Sequence, residues 1–200
     1  MQSTSSLNRK APRKATKALR SGQALVLIDV INDFDFPRAE GLLRQALPAA
    51  QRILALKDRA KRARLPVIYA NDNFGRWRSD FRQQIEHCLA RGGRARKIVE
   101  LLKPDDEDYF VLKPMHSAFF STTLEVLLER LHVGRLILTG FAADICVLYT
   151  ANDAYMRDFE VVVPSDCVAS ETMRQYRFAL EHMAQRLRAD TKRSDQIRFR

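Results

Sequence analysis

The chain has little with which to build a disulfide framework: its 3 cysteines, Cys88, Cys146 and Cys167, lie far apart, with no Cys-x-x-Cys pair. An odd, scattered set of thiols argues against both a stapled fold and a structural zinc site. It implies reduced cysteines in a cytoplasmic protein, each either a small buried apolar residue or a nucleophile. Long apolar runs are missing too. Stretches such as 24–28 and 135–143 are far short of the ~20 residues that span a bilayer, so no membrane anchor is expected. The amino-terminal segment lacks the apolar h-region of a secretory signal and the amphipathic face of a transit peptide. Histidine is scarce, and none of His87, His116, His132 and His182 pairs with another at metal-ligand spacing, so they read as surface or helix-packing residues.

Acidic residues are absent or few where basic ones concentrate. The formal charge of +10 would suit a nucleic-acid partner if it covered a folded surface. Instead, residues 1–20 hold six Lys or Arg and no acid, residues 173–200 hold eight basic and three acidic side chains, and the middle is essentially neutral. The first segment, rich in Ser, Lys and Arg with hardly any large apolar side chain, cannot bury a core. The expectation is a basic disordered tail over 1–20 on one domain over 21–200, with no nucleic-acid site in the domain.

What is present is alternation. Short apolar runs at 24–30, 66–70, 109–113, 135–139 and 160–163 alternate with longer segments of helical periodicity. The helical segments cover about 39–63, both sides of the Gly92-Gly93 break, a stretch to Leu131 capped by Ser121 or Thr122, 144–156 and 171–187. Residues 196–199 offer a last strand. Such alternation predicts a parallel sheet with helices on both faces, because parallel strands need crossover connections. In these folds ligands sit at the carboxyl ends of the strands.

Three unusual residues stand there: Asp29, Lys113 and Cys146. Each has an ordinary explanation alone, as a loop cap, a strand-end charge or an inert buried thiol. Together they make a chemical set. Cys146 lies in Thr139-Gly-Phe-Ala-Ala-Asp-Ile-Cys-Val147, where a strand turns into a helix. A thiol near a helix amino terminus is expected to ionise below the free value of about 8.5. Asp29 is the candidate base, and Lys113 the cation that keeps a buried site neutral.

These residues sit in motifs that resemble the isochorismatase-like cysteine hydrolase family. Leu27-Ile-Asp-Val-Ile-Asn-Asp-Phe34 is similar to the strand that ends in the family's catalytic aspartate, Lys113-Pro-Met-His-Ser-Ala-Phe119 to its Lys-x-x-x-Ser-Ala-Phe segment, and Gly140-Phe-Ala-Ala-Asp-Ile-Cys-Val147 to its nucleophile turn. Pro164-Ser-Asp-Cys-Val-Ala-Ser170 also fits, so the likeness covers roughly 22–187. The resemblance implies a three-layer α/β/α sandwich around a six-stranded parallel sheet of order 3-2-1-4-5-6. It implies Asp29, Lys113 and Cys146 as a catalytic triad, a Cys146 thioester formed from a small amide, and a homo-oligomer. It also implies a cis peptide at Phe141-Ala142 and an oxyanion hole made by the N–H groups of Ala142 and Cys146. Phe34, Phe36, Phe141 and Trp77 are candidates to hold a planar substrate, and Arg76 and Arg78 to receive a carboxylate. Aromatic and basic groups in such a loop serve equally well at a dimer interface.

Two departures matter. Ile31 stands where the family usually has Gln. The loop Asn71-Asp-Asn-Phe-Gly-Arg-Trp-Arg78 contains no histidine, whereas nicotinamidase-type members hold a metal there through an Asp-x-His pair. Neither a metal nor another cofactor is therefore expected. The competing readings are isochorismatase proper, a vinyl ether hydrolase that uses the aspartate and needs no thiol, and a binding protein that uses the basic ends. Extended treatment with a strong chelator should leave hydrolase activity unchanged; stoichiometric zinc or iron in the purified protein would contradict the reading.

Overall fold

The computed structural model describes residues 21–73, 75, 80–90 and 92–200. The basic segment 1–20, Arg76, Trp77 and Arg78 lie outside them. β1 (Gly22–Ile28) is flanked by β2 (Val67–Asp72) and β4 (Val133–Phe141), with β3 (Tyr109–Lys113) beyond β2 and β5 (Glu160–Val162) beyond β4, all parallel. α1 (Ala39–Arg62), α2 (Phe81–Ala90) and α3 (Gly93–Leu101) cover one face; α4 (Leu124–Arg130), α5 (Leu148–Met156) and α6 (Met173–Arg186) cover the other.

The strand pattern dictates these layers. Side chains alternate across a sheet, and in β1 both faces are apolar: Leu25 and Leu27 pack with Ile53 and Leu56 of α1 and Ile98 of α3, while Ala24, Val26 and Ile28 pack with Leu128 of α4, Ala151 of α5 and Met183 of α6. Every residue from Ala24 to Ile28 has no exposed surface. No helix among the described residues is long and apolar enough to cross a membrane.

The sixth strand departs from the expected order. β6 (Val168–Ala169) does not lie outside β5; it pairs with Gly140 and Phe141 of β4. The cause is length. β5 pairs only with Arg135–Ile137, so the end of β4 is left for β6. Beyond β5 stands a single bridge, in which Val163 N–H donates to Asp190 O at 2.8 Å and Asp190 N–H to Val161 O at 3.1 Å. Residues 196–199 form no strand, because side chains take the carbonyls of this tail. Arg59 donates to Ser194 O and Ile197 O, both at 2.7 Å, Arg135 to Arg198 O at 3.0 Å, and Gln23 to Arg200 O at 2.8 Å. Before α4 the N-cap is Thr123, without a side-chain cap bond, in place of the expected Ser121 or Thr122; Thr122 Oγ1 instead accepts Leu124 N–H at 3.1 Å from one residue further back.

The tightest glycine position among the described residues lies where β1 and β4 end. Gly140 has φ +124°, and a Cβ on it would stand 2.0 Å from Ile28 O. Glycine is required there by both backbone conformation and space. Gly140→Ala should lower stability by about 3 kcal/mol or more. Gly75→Ala, with positive φ but nothing within 4 Å of the added carbon, should cost only ~1 kcal/mol. Urea unfolding of the two variants checks this, and equal losses would refute the steric account.

Candidate active site

Lys113 ends β3 with no exposed surface. Its ammonium lies 2.9 Å from Asp29 Oδ2 and 3.6 Å from Asp72 Oδ2, donates to Met115 O at 3.2 Å, and stands 3.7 Å from Cys146 Sγ. Burial alone would lower its pKa; the carboxylates of Asp29 and Asp72 push it the other way, and it stands above the ordinary lysine value. The cation is thus shared by the ends of three strands and the turn after a fourth.

Asp29 follows β1 in a left-handed conformation, φ 53°, which a short polar residue tolerates better than most. Its N–H donates to Ala70 O at 3.0 Å, continuing the ladder past the strand. Its Oδ1 accepts Asp72 N–H at 2.7 Å while Oδ2 faces Lys113, so both oxygens are oriented. Asn71 fixes the next step of the chain: its Oδ1 accepts Ile31 N–H at 3.1 Å, and its Nδ2 donates to Ile31 O at 2.7 Å. Ile31 itself is fully buried in the core on the α1 side, so it adds apolar packing where a glutamine would bring a polar group.

The nucleophile turn follows from Gly140. Ala142 is left-handed, with φ 54° and ψ 62°, and its carbonyl accepts Ile145 N–H at 2.9 Å and Val147 N–H at 3.3 Å in a wide π-helical turn over Ala143–Val147 that leads into α5. No cis peptide occurs among the described residues, which corrects the expectation at Phe141-Ala142. The chain reverses through the dihedrals of Gly140 and Ala142 instead.

Cys146 is 8 % exposed, and its thiol corrects a second expectation. Burial pushes its pKa up, Asp29 pushes it further, and Lys113 offsets only part of the rise. The raised value favours a protonated thiol over the expected thiolate. Cys167 is likewise pushed up, to about 12, by burial and Asp166.

Asp29, Lys113 and Cys146 therefore converge as the motifs implied. Phe34 packs against Phe36 and Phe141, with ring centroids 6.4 and 5.8 Å away, in an aromatic group beside the nucleophile strand. Phe141 is 1 % exposed and Phe34 6 %, whereas Phe36 reaches solvent at 37 %. Two neighbours escaped the sequence reading. Asp72 ends β2, where the strand-end rule pointed, but its loop was read only for missing histidines. His116 stands inside the Lys113–Phe119 motif with Nδ1 4.0 Å from Cys146 Sγ. The other histidines lie elsewhere, His87 beside Asp33 at 3.0 Å and His182 against Phe178.

The donors present do not fit a nicotinamidase-type metal. Asp72 has the Lys113 ammonium 3.6 Å away, and the residue two positions on, where an Asp-x-His pair would put its histidine, is Phe74. Among the described residues no group of three or more His, Cys, Asp or Glu could hold a metal ion.

Comparison with known proteins agrees with this geometry. Residues 23–193 match the sequence model of the isochorismatase domain. The chain is 40% identical over 178 residues to the uncharacterised isochorismatase family protein YaaI of Bacillus subtilis, covering 89% of this chain and 97% of that one. The N-carbamoylsarcosine amidase structure from Thermoplasma acidophilum superposes with a TM-score of 0.70 at 26% identity, covering 89% of this chain and 99% of that one. Similarity to the isochorismatase of Bacillus subtilis is 31% over 138 residues, covering 67% of this chain but only 44% of that longer protein. The chain belongs to the isochorismatase family of hydrolases.

Proposed function

We propose that the protein is a metal-independent cysteine hydrolase that cleaves a C–N bond of a small amide, ureide or carbamoyl compound through a thioester on Cys146. The observation that carries this reading is the position of Cys146 Sγ, 3.7 Å from a buried lysine whose ammonium is 2.9 Å from Asp29. A vinyl ether hydrolase using the aspartate has no need of a thiol held there. The near end-to-end superposition on an amidase supports the same choice.

In the first half-reaction Asp29 takes the thiol proton as sulfur attacks the carbonyl carbon, and returns it to the departing nitrogen as the C–N bond breaks. In the second, Asp29 takes a proton from water, whose oxygen attacks the thioester; the C–S bond breaks and the thiol is restored. The raised thiol pKa suits this sequence, since a proton that leaves only on attack is at hand for the leaving group. Lys113 keeps the charge of the site balanced throughout. The N–H groups of Ala142 and Cys146 are assigned to the oxyanion, a role often worth about 3–4 kcal/mol of barrier. Phe36 offers the solvent-reaching aromatic surface for the substrate, Phe34 and Phe141 back it, and Trp77, Arg76 and Arg78 remain assigned to substrate contact.

Screening small amides, ureides and carbamoyl compounds for ammonia release identifies the substrate class. Cys146→Ala should then reduce turnover by about 10³-fold or more with the fold intact. Asp29→Asn should cost about 10²–10⁴-fold. Lys113→Ala should both slow the reaction and destabilise the fold by about 3–5 kcal/mol, because it strands a buried carboxylate. Near-normal turnover in Cys146→Ala, with pyruvate released from a vinyl ether substrate, would establish the isochorismatase reading instead.

A further inference from the structure

Besides Lys113 and Asp29, the Cys146 sulfur has His116 beside it, with Nδ1 4.0 Å away and the residue exposed to solvent. The ring is not on a loose arm. Met115 O just before it accepts the Lys113 ammonium at 3.2 Å, and Ser117 just after it donates to Asp153 of α5. Ala118 N–H, one residue on, donates to Thr150 Oγ1 at 3.0 Å, and the imidazole packs on Tyr149 with ring centroids 5.7 Å apart. Asp29, by contrast, has Lys113 on one oxygen and a backbone N–H on the other.

From this geometry we infer that His116 is a second proton-transfer group for Cys146, connecting the buried thiol with solvent. In the tautomer that carries hydrogen on Nε2, Nδ1 is an alternative acceptor to Asp29: it takes the proton as the S–H bond breaks and sulfur bonds to carbon, and the imidazolium then returns it to the departing group or to water. Because an imidazole binds and releases a proton, the thiol's rate of reaction acquires a dependence on pH through it. The charged and titratable groups around the pair are Asp29 at the end of β1, Asp72 on β2, Lys113 on β3 and Tyr149 on α5.

The inference rests on Cys146 as the nucleophile, and its test uses an alkylating probe in place of a substrate. Iodoacetamide modification of Cys146, followed by peptide mass spectrometry from pH 5 to 9.5, should show a step in rate in wild type. In His116→Ala and His116→Gln that step should disappear and the rate near neutrality should fall about tenfold or more. Tyr149→Phe, which keeps the ring platform, should retain the step. A His116→Ala profile that superposes on wild type would overturn the inference and leave the role of Cys146 standing. A failure of the nucleophile reading would show differently, as amide turnover surviving in Cys146→Ala.

Discussion

A fully buried lysine ammonium set 2.9 Å from an aspartate is the constraint around which this end of the sheet is arranged. Removing two charges from water costs several kcal/mol per ion, and attraction offsets that only if the geometry is good and the remaining hydrogen-bonding groups are satisfied. Each demand is met by a named feature. The left-handed backbone of Asp29 and the Asp72 N–H orient the carboxylate; Met115 O and Asp72 supply the lysine with further acceptors. Gly140 lets β4 come close enough to β1 for the nucleophile turn to deliver Cys146 to the same cation. The thiol then inherits a site whose charge is balanced while it remains protonated.

The segment after Lys113 shows why the motif has its particular residues. Ser117 donates to Asp153, which also accepts Arg157, and Arg157 reaches Glu125 of α4 at 3.0 Å. Ala118, with no exposed surface, leaves room for its N–H to meet Thr150, whose hydroxyl donates to Cys146 O at 2.7 Å. Phe119 packs on Phe159 and lies under the Arg157 guanidinium at 4.9 Å. The loop that carries Lys113 and the helix that carries Cys146 are therefore fastened together by side chains of both. The spacing between lysine and serine spans the site and reaches that fastening.

Much of this was legible in the sequence because the signals were local. Apolar runs bounded by polar turns gave the five principal strands, and the strand-end rule led to Asp29, Lys113 and Cys146. The failures have one kind of cause, in that each depended on distant partners. Residues 196–199 read as a strand, but Arg59, Arg135 and Gln23 claim the carbonyls of that tail. β6 moved to β4 because β5 is only three residues long. The expected thiolate rested on the helix terminus alone, whereas burial and Asp29 prevail. Asp72 and His116 gained significance only when folding placed them around Lys113 and Cys146.

The central claim is that the charge arrangement around Lys113 serves covalent catalysis by Cys146. Rapid acid quenching of the wild-type protein during turnover of a small amide or carbamoyl substrate, followed by peptide mass spectrometry, tests it most directly. The account predicts an acyl mass on the peptide containing Cys146, formed and lost at rates compatible with turnover. Steady hydrolysis with Cys146 unmodified throughout, or with the acyl group on another residue, would contradict it.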